Sequence, residues 1–305
     1  MLQLSRLKVF VEVAKQGSIS AAAEQLSYTQ SAVSQQIAAL EAETGVTLIE
    51  RLPRGVRLTT AGRTLLAHAE GILGRLTAAE ADMEAIAGLR GGQLRMASFP
   101  TAGATLMPLA IAMFRAQHPE VELTLAEGEP EEIAPRLYAG EFDLALLFEF
   151  EGTSDSLTES LIRQPLFEDP MFLALPADHP LAARRTLRLA DLRAESWVQT
   201  SSSSPCARHV VRSCHAAGFD PIVSFESDDY QTVQGLVAAG VGVALVPKLA
   251  LAMGREDIAI RALSPSSPVR HVIAATPEDS RLTPAAAAMT TIMDSVAERF
   301  AEPAL

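Results

Sequence analysis

Leu65, Ala69, Ile72, Leu76, Ala79, Met83 and Ile86 follow one another at alternating intervals of four and three residues. That spacing confines an α-helix to one narrow apolar stripe over about six turns, and few arrangements bury such a stripe. Thr59 or Thr60 can cap the helix, which then runs to about Leu89 and reaches roughly 45 Å at 1.5 Å per residue. Two readings are open: a helix lying on a globular body, or a helix paired with a second chain. Its length, its narrow seam and its position between two unlike segments favour pairing. Two alanines in the seam permit close approach but weaken a coil, so other contacts must help hold a dimer.

The segments on either side differ in period and in charge. The 305-residue chain has a formal charge of -12, which by itself argues against a protein that grips nucleic acid over its whole surface. The charge is unevenly placed. Residues 1–63 carry seven basic and five acidic side chains, a local balance of +2, and four of the seven cations fall between Arg51 and Arg63. Residues 93–305 carry 16 basic and 28 acidic side chains, a balance of -12. This asymmetry fits an N-terminal module that meets a polyanion and a C-terminal module with another task.

The N-terminal module reads as helices. Leu4, Leu7, Phe10, Val11 and Ala14 give an amphipathic helix ended by Gly17, and Ser18 or Ser20 can cap a second over Ala21 to Leu26. Ser27-Tyr28-Thr29-Gln30 fits a capping box and opens a third helix, about Thr29 to Thr44, with Val33, Ile37 and Leu40 on its buried side. Two short helices joined by a tight turn have the layout of a helix-turn-helix. Thr29, Gln30, Ser31, Ser34 and Gln35 lie on the polar face of its second member; glutamine pairs bidentately with adenine and serine accepts several base or phosphate geometries. Leu52 to Leu58 reads as a small hairpin whose Arg51, Arg54 and Arg57 can reach phosphates or a narrow minor groove. A plain polar helix face and surface turn would show the same spacing.

The residues themselves go further. Ala21-Ala22-Ala23-Glu24-Gln25-Leu26, Ser31-Ala32-Val33-Ser34-Gln35-Gln36-Ile37, Leu40-Glu41, Gly45-Val46-Thr47-Leu48, Arg51 and Leu58-Thr59-Thr60-Ala61-Gly62 resemble the winged helix-turn-helix of LysR-type transcriptional regulators. The resemblance runs almost without a gap from Leu4 to Gly62. It departs at Ser31, where the family usually has proline, and at Ile49, where it usually has phenylalanine. In the family, the helix that follows is the dimerising linker, and dimers present two recognition helices to an interrupted inverted repeat.

Beyond Gly92, apolar runs of strand length alternate with helical patterns: Gln93 to Ala97, Val121 to Leu125, Phe142 to Phe148, Phe172 to Leu175, Trp197 to Thr200, Ile222 to Phe225, Val241 to Val246 and Val269 to Ala275. Such alternation predicts an α/β domain with a mostly parallel sheet. The resemblance continues through Gln93 to Ser98, His118 to Leu123, Gly140 to Ala145, His179-Pro180-Leu181 and Ala238 to Pro247. It implies a two-lobed α/β effector domain shaped like a periplasmic binding protein. The expected division is a winged helix-turn-helix over 1–60, a linker helix and hinge over 61–91, and an effector domain over 92–305. Within the last, one lobe takes 92–164 and 268–305 and the other takes 165–267.

A ligand in such a fold sits at the carboxyl ends of strands, near helix N-termini. Ser98 to Gly103 and Thr200 to Pro205 supply two hydroxyl-rich approaches to helix starts, suited to a small carboxylate or similar anion. Matching the family pocket by position implies Ser98, Thr101, Ala102, Phe148, Thr200, Ser201 and Ser202 as effector contacts. Helix capping explains any single one of them equally well.

Catalysis finds no support. G-x-S-x-G, H-E-x-x-H and G-x-x-x-x-G-K are absent, and His68, His118, His179, His209, His215 and His271 show no metal-ligand spacing. No cofactor or metal is expected. Two cysteines fit a reducing compartment, residues 1–20 lack a basic stretch before an apolar core, and no run suits a membrane span. The expected setting is cytoplasmic, on the nucleoid, with DNA, a small effector, further copies of the chain in a dimer or tetramer, and RNA polymerase as partners. An alternative within the same family is a thiol or peroxide sensor using Cys206 and Cys214. Eight residues along one helix separate their α-carbons by roughly 12 Å, beyond disulfide reach without local unfolding.

Arg54→Ala is expected to weaken binding to every DNA sequence and to reduce the salt slope by about 1, whereas Gln30→Ala costs affinity at particular base pairs. Titrations at a series of salt concentrations separate the two effects, and an unchanged slope removes the wing from the interface.

Overall fold

The structure, a computed structural model, describes residues 2–52, 55–86, 92–152, 161–252, 254–265, 267–277 and 282–301, and the side chains of 77–78 and 80–86 lie outside that description. The chain divides into two units, Met1–Gly92 with Arg136–Phe142, and Gln93–Pro135 with Asp143–Leu305.

In the first unit, helix α1 (Leu4–Gln16) stops where Gly17 adopts φ 60°. That left-handed turn is easy for glycine alone, and the helix has no other stop signal. Helix α2 (Ile19–Gln25) is capped by the Ser18 hydroxyl, which accepts from the Ala21 amide. Helix α3 (Gln30–Thr44) begins one residue past Thr29, whose hydroxyl accepts from the Ala32 amide at 3.2 Å. The capping box expected from Ser27 does not form. Ser27 instead turns the chain at φ 56°, and the cap passes to Thr29, the last extended residue before the helix.

Leu7, Phe10, Val13, Ala22, Val33, Ile37 and Leu40 close one core beneath these helices. Ile49 is buried in the same core, so the departure from phenylalanine there is an apolar exchange. The antiparallel pair β1 (Ile49–Leu52) and β2 (Gly55–Leu58) makes the wing. One carboxylate oxygen of Glu41 accepts from the Leu48 and Ile49 amides at 2.8 and 3.2 Å and ties α3 to the wing's first strand. The Thr59 hydroxyl donates to the Thr47 carbonyl and accepts from the Gly62 amide, opening helix α4 (Thr60–Ile86).

Helix α4 shares its apolar stripe with α1. Ala69 is fully buried in the first unit's core and Leu65 packs against it, so both are occupied within one chain. Ile72, at 43% exposure, is the first open residue of the seam, followed by half-buried Leu76 and exposed Ala79. The side chains of Met83 and Ile86 lie outside the described residues, as does the expected end of the helix near Leu89.

The second unit is built on an eight-stranded sheet in the order β4-β3-β5-β12-β6-β11-β7, with β10 also on β6. The strands are β3 (Gln93–Ser98), β4 (Glu122–Glu127), β5 (Leu144–Phe150), β6 (Leu161–Pro176), β7 (Thr186–Leu187), β10 (Ala244–Pro247), β11 (Ile258–Leu263) and β12 (Val269–Pro277). A second, two-stranded sheet pairs β8 (Ser196–Gln199) with β9 (Ile222–Glu226). Helices α5 (Pro100–Ala104), α6 (Leu106–Gln117), α7 (Pro130–Tyr138), α8 (Pro205–Ala216), α9 (Tyr230–Ala238) and α10 (Pro284–Ala301) connect or cover the strands.

The mostly parallel sheet is corrected to a mixed one. β3 with β4 and β5, β7 with β11, and β8 with β9 run parallel, but β12 is antiparallel to β5 and β6, and β6 is antiparallel to β10 and β11. The cause is β6, a 16-residue strand of which only the Phe172 to Leu175 end reads as continuous apolar sequence. Its first half pairs with β12 and its second half with β10 and β11, so one strand passes from one lobe to the other. Arg163, Gln164 and Glu168 hide the first half from a reading by hydrophobic runs.

A methyl group on Gly62 would lie 2.1 Å from the Leu48 carbonyl oxygen, inside its contact distance. Gly62→Ala is expected to cost about 1–3 kcal/mol in the first unit and leave the second unit's melting unchanged. Hydrogen exchange of the α3 amides, followed in the full chain, reads the loss directly.

Candidate functional site

Two faces stand out, one in each unit. On the first, Thr29, Gln30, Ser31 and Gln35 are exposed and Ser34 is half-buried, while Val33 and Ile37 on the opposite side of α3 are in the core. The helix therefore offers amides and hydroxyls at its N-terminal turns, without a strong charge of its own. Ser31 accepts or donates to Thr29 across 3.0 Å between their oxygens, and α3 starts at Gln30 without the proline usual in the family. Arg51 is exposed on β1. Arg57 on β2 is exposed but paired, its guanidinium donating to Glu50 at 2.6 Å across the hairpin. Arg54 lies outside the described residues. Tyr28, 53% exposed at the turn before α3, is an aromatic hydroxyl that spacing arguments pass over because it fits neither helix.

The second face is a cleft, and its centre is a buried ion pair that no loop motif announces. Arg270 of β12 stands directly opposite Asp169 of β6, and both are about 1% exposed. The Arg270 Nε donates to the Asp169 carboxylate at 3.0 Å, and its terminal nitrogen donates both to Asp169 and to the Thr101 hydroxyl, the latter at 2.9 Å. The other Asp169 oxygen accepts from the Leu249 amide at 3.0 Å. The guanidinium also lies over the rings of Phe99 and Phe148, 5.1 and 4.7 Å from their centroids. Burial pulls the Arg270 pKa down, but the Asp169 carboxylate more than offsets that, and the group stays a cation.

The cation of this site comes from outside both hydroxyl-rich loops. Arg270 arrives from a strand 169 positions beyond Thr101, not from either loop. The signal was present as a charge in an inward register position: Arg270, Val272 and Ala274 share one buried face of β12, as Phe167, Asp169 and Met171 do on β6.

Of the residues expected to contact an effector, Thr101 and Phe148 meet at Arg270. Ser98 is buried beside them and donates to the Phe99 carbonyl. Ala102 is fully buried in the second unit's core. Thr200 is buried and bonded to Ser204, whose hydroxyl caps α8. The Ser201 amide donates to Asp228 at 2.8 Å, and Ser202 is exposed. A cavity of about 540 Å³ opens beside Thr101, with Glu127, Asp228, Asp229, Tyr230 and Leu249 in its wall.

Nearby ionisable groups respond to this crowding. Glu129 is pushed up to about 7, first by burial and then by Glu131, Asp228 and Glu132, with Arg270 opposing. Cys206 at the start of α8 is raised by burial and lowered in part by Arg270, with Tyr230 in hydrogen-bonding reach; Cys214 is pushed up to about 12 by burial. Both thiols are buried and free. Among the described residues no group of His, Cys, Asp and Glu has metal-binding geometry, and no helix is long and apolar enough to cross a membrane.

Because the Glu129 pKa is higher folded than unfolded, the folded state holds the extra proton between about pH 4.5 and 7, and stability falls as pH rises through that window. Glu129→Gln is expected to stabilise the chain at pH 8, on the order of 1 kcal/mol, with the gain vanishing by pH 5. Urea melts at the two pH values check this.

Two family models match the chain: a bacterial regulatory helix-turn-helix of the lysR family over residues 4–63, and a LysR substrate binding domain over residues 87–298. The chain is 32% identical over 248 residues to the transcriptional dual regulator GltC of Bacillus subtilis (strain 168), covering 81% of each. It is 30% identical over 255 residues to the DNA-binding transcriptional dual regulator OxyR of Escherichia coli (strain K12), covering 84% of this chain and 82% of that one. Among solved structures, full-length CbnR in complex with its target DNA superimposes with a TM-score of 0.68 at 24% identity, covering 97% of this chain and 100% of that one.

Proposed function

Since the chain belongs to the LysR family of DNA-binding transcription regulators and is not an enzyme, we propose that it works as a dimer, extending to a tetramer, that reads an interrupted inverted repeat and reports a small molecule held in the cleft of its second unit. The observation that carries this reading is the exposed polar face of α3, Thr29 to Gln35, set on a core that fixes the helix by its opposite side. Gln30 and Gln35 supply base-reading amides, and Arg51, Arg54 and Arg57 supply phosphate contacts from the wing. The CbnR complex with its target DNA supports this use of the fold.

Pairing through α4 begins at Ile72, because Leu65 and Ala69 are already buried against α1. A dimer spaces two α3 helices over two half-sites, one helical turn or a small multiple apart. Occupation of the cleft, where Arg270 joins α5 to the paired strands β6 and β12, changes the relation of the two lobes and through it the packing of the dimer, a coupling of about 1–3 kcal/mol. The setting is the cytoplasm and its nucleoid, with RNA polymerase a further partner.

The thiol-sensing or peroxide-sensing alternative has in its favour a relative named a hydrogen peroxide-inducible genes activator, from Pectobacterium carotovorum subsp. carotovorum, 30% identical over 255 residues. Against it, Cys206 and Cys214 are buried in one helix and burial raises both, which favours the neutral structural thiol over a reactive thiolate.

Mapping the sites that the full-length protein occupies on its genome, followed by footprinting of the recovered fragments, tests the main reading. Two protected half-sites on one face of the DNA are expected, with loss of at least tenfold in affinity for Gln30→Ala combined with Gln35→Ala. Recovered fragments that bind no better than random DNA at the same salt would overturn it.

A further inference from the structure

The cavity beside Thr101 carries charge of one sign. Glu127 ends β4 on one wall, Asp228 and Asp229 precede α9 on the other, and among the described residues no basic side chain lines the space. Two arginines of the same unit are engaged elsewhere: Arg270 with Asp169 and Thr101, and Arg208 with Glu131 and the Ser203 carbonyl.

The three carboxylates differ in how far they are satisfied. Asp229 accepts from the Gln231 and Thr232 amides and the Thr232 hydroxyl, a helix cap that holds it ionised. Asp228 accepts from the Ser201 amide through one oxygen. The Glu127 backbone belongs to the β3–β4 ladder, but its exposed carboxylate has no hydrogen bond or ion pair among the described residues. Two residues on, a Glu129 carboxylate oxygen is buried with no partner among them either. Glu129 is raised first by its burial, and Glu131, Asp228 and Glu132 add their repulsion against the pull of Arg270. An anion entering this cavity would add to that repulsion, whereas a cation relieves it. Pro100, Leu249 and Ala250 line the same cavity and give it an apolar side.

We propose that the cleft takes a small organic cation, with an ammonium or guanidinium head between Glu127 and Asp228 and a short hydrocarbon body against Leu249 and Ala250. This rests on the reading of the second unit as an effector-binding domain and replaces the carboxylate that the hydroxyl-rich loops lead one to expect. The α5 and α9 N-termini soften the negative field but do not reverse it, because Asp229 already caps α9 and α5 has only five residues.

Calorimetric titration of the full-length protein with unbranched diamines of three to six carbons and with agmatine, against dicarboxylates of the same lengths, tests the assignment. At least one cationic probe is expected to bind, with affinity falling at least fivefold in Glu127→Gln and abolished in Ala104→Trp, where an exposed residue of the wall becomes a plug. Silence of every cationic probe, or cationic binding unchanged in both variants, overturns the charge assignment. Dicarboxylate binding lost in Ala104→Trp overturns it too while leaving an effector in the cleft. The effector reading itself fails separately, if Ala104→Trp regulates its operator as the parent does and no probe of either charge binds.

Discussion

A guanidinium and a carboxylate, facing each other across two paired strands and shut away from water, organise the second unit. Arg270 and Asp169 occupy opposed positions on β12 and β6, where β6 passes between the lobes. A buried pair of this kind contributes little net stability, because removing two charges from water offsets most of their attraction. Its importance is geometric. Asp169 receives the Leu249 amide and Arg270 reaches the Thr101 hydroxyl, so elements of both lobes refer their positions to the same few atoms. Leaving either charge alone would cost about 3–5 kcal/mol, so the two are kept together and the attached elements with them.

The first unit obeys a different constraint. Its core is small, and it is closed by helices of which α1 and α3 end at glycine while α2 and α3 begin at hydroxyl caps. Glu41 then fastens the wing to α3, through the amides of Leu48 and Ile49. Reader and wing are thus one rigid piece, and the long helix shares its stripe with them before it is free to meet a partner. The seam changes character along its length: Leu65 and Ala69 anchor it within the chain, whereas Ile72 and Ala79 are exposed.

Local chemistry was the legible part. Val33, Ile37 and Leu40 at helical spacing, Gly17 as a stop and Thr59 at the opening of α4 each act through near neighbours, and each stands where spacing and residue type place it. The cap at Thr29 instead of Ser27 is a shift of two residues that only backbone geometry decides. The illegible part was long-range. Arg270 and Asp169 are 101 positions apart, and nothing in either strand names the other. Only Phe172 to Leu175 of the 16-residue β6 was read as strand, because its first half carries charges that meet partners from other strands. The acidic side chains of the cavity wall escaped notice for the same reason: counting loop hydroxyls omits the carboxylates that other loops bring to the wall.

The hairpin pair Arg57–Glu50 bears on how this protein searches a chromosome. An arginine already neutralised by its own carboxylate displaces fewer ions when it touches a phosphate, so contact with arbitrary DNA gains less from counterion release. The acidic second unit pushes in the same direction. A DNA-binding protein so balanced leaves arbitrary sequence quickly, so its selectivity begins as a short residence time there.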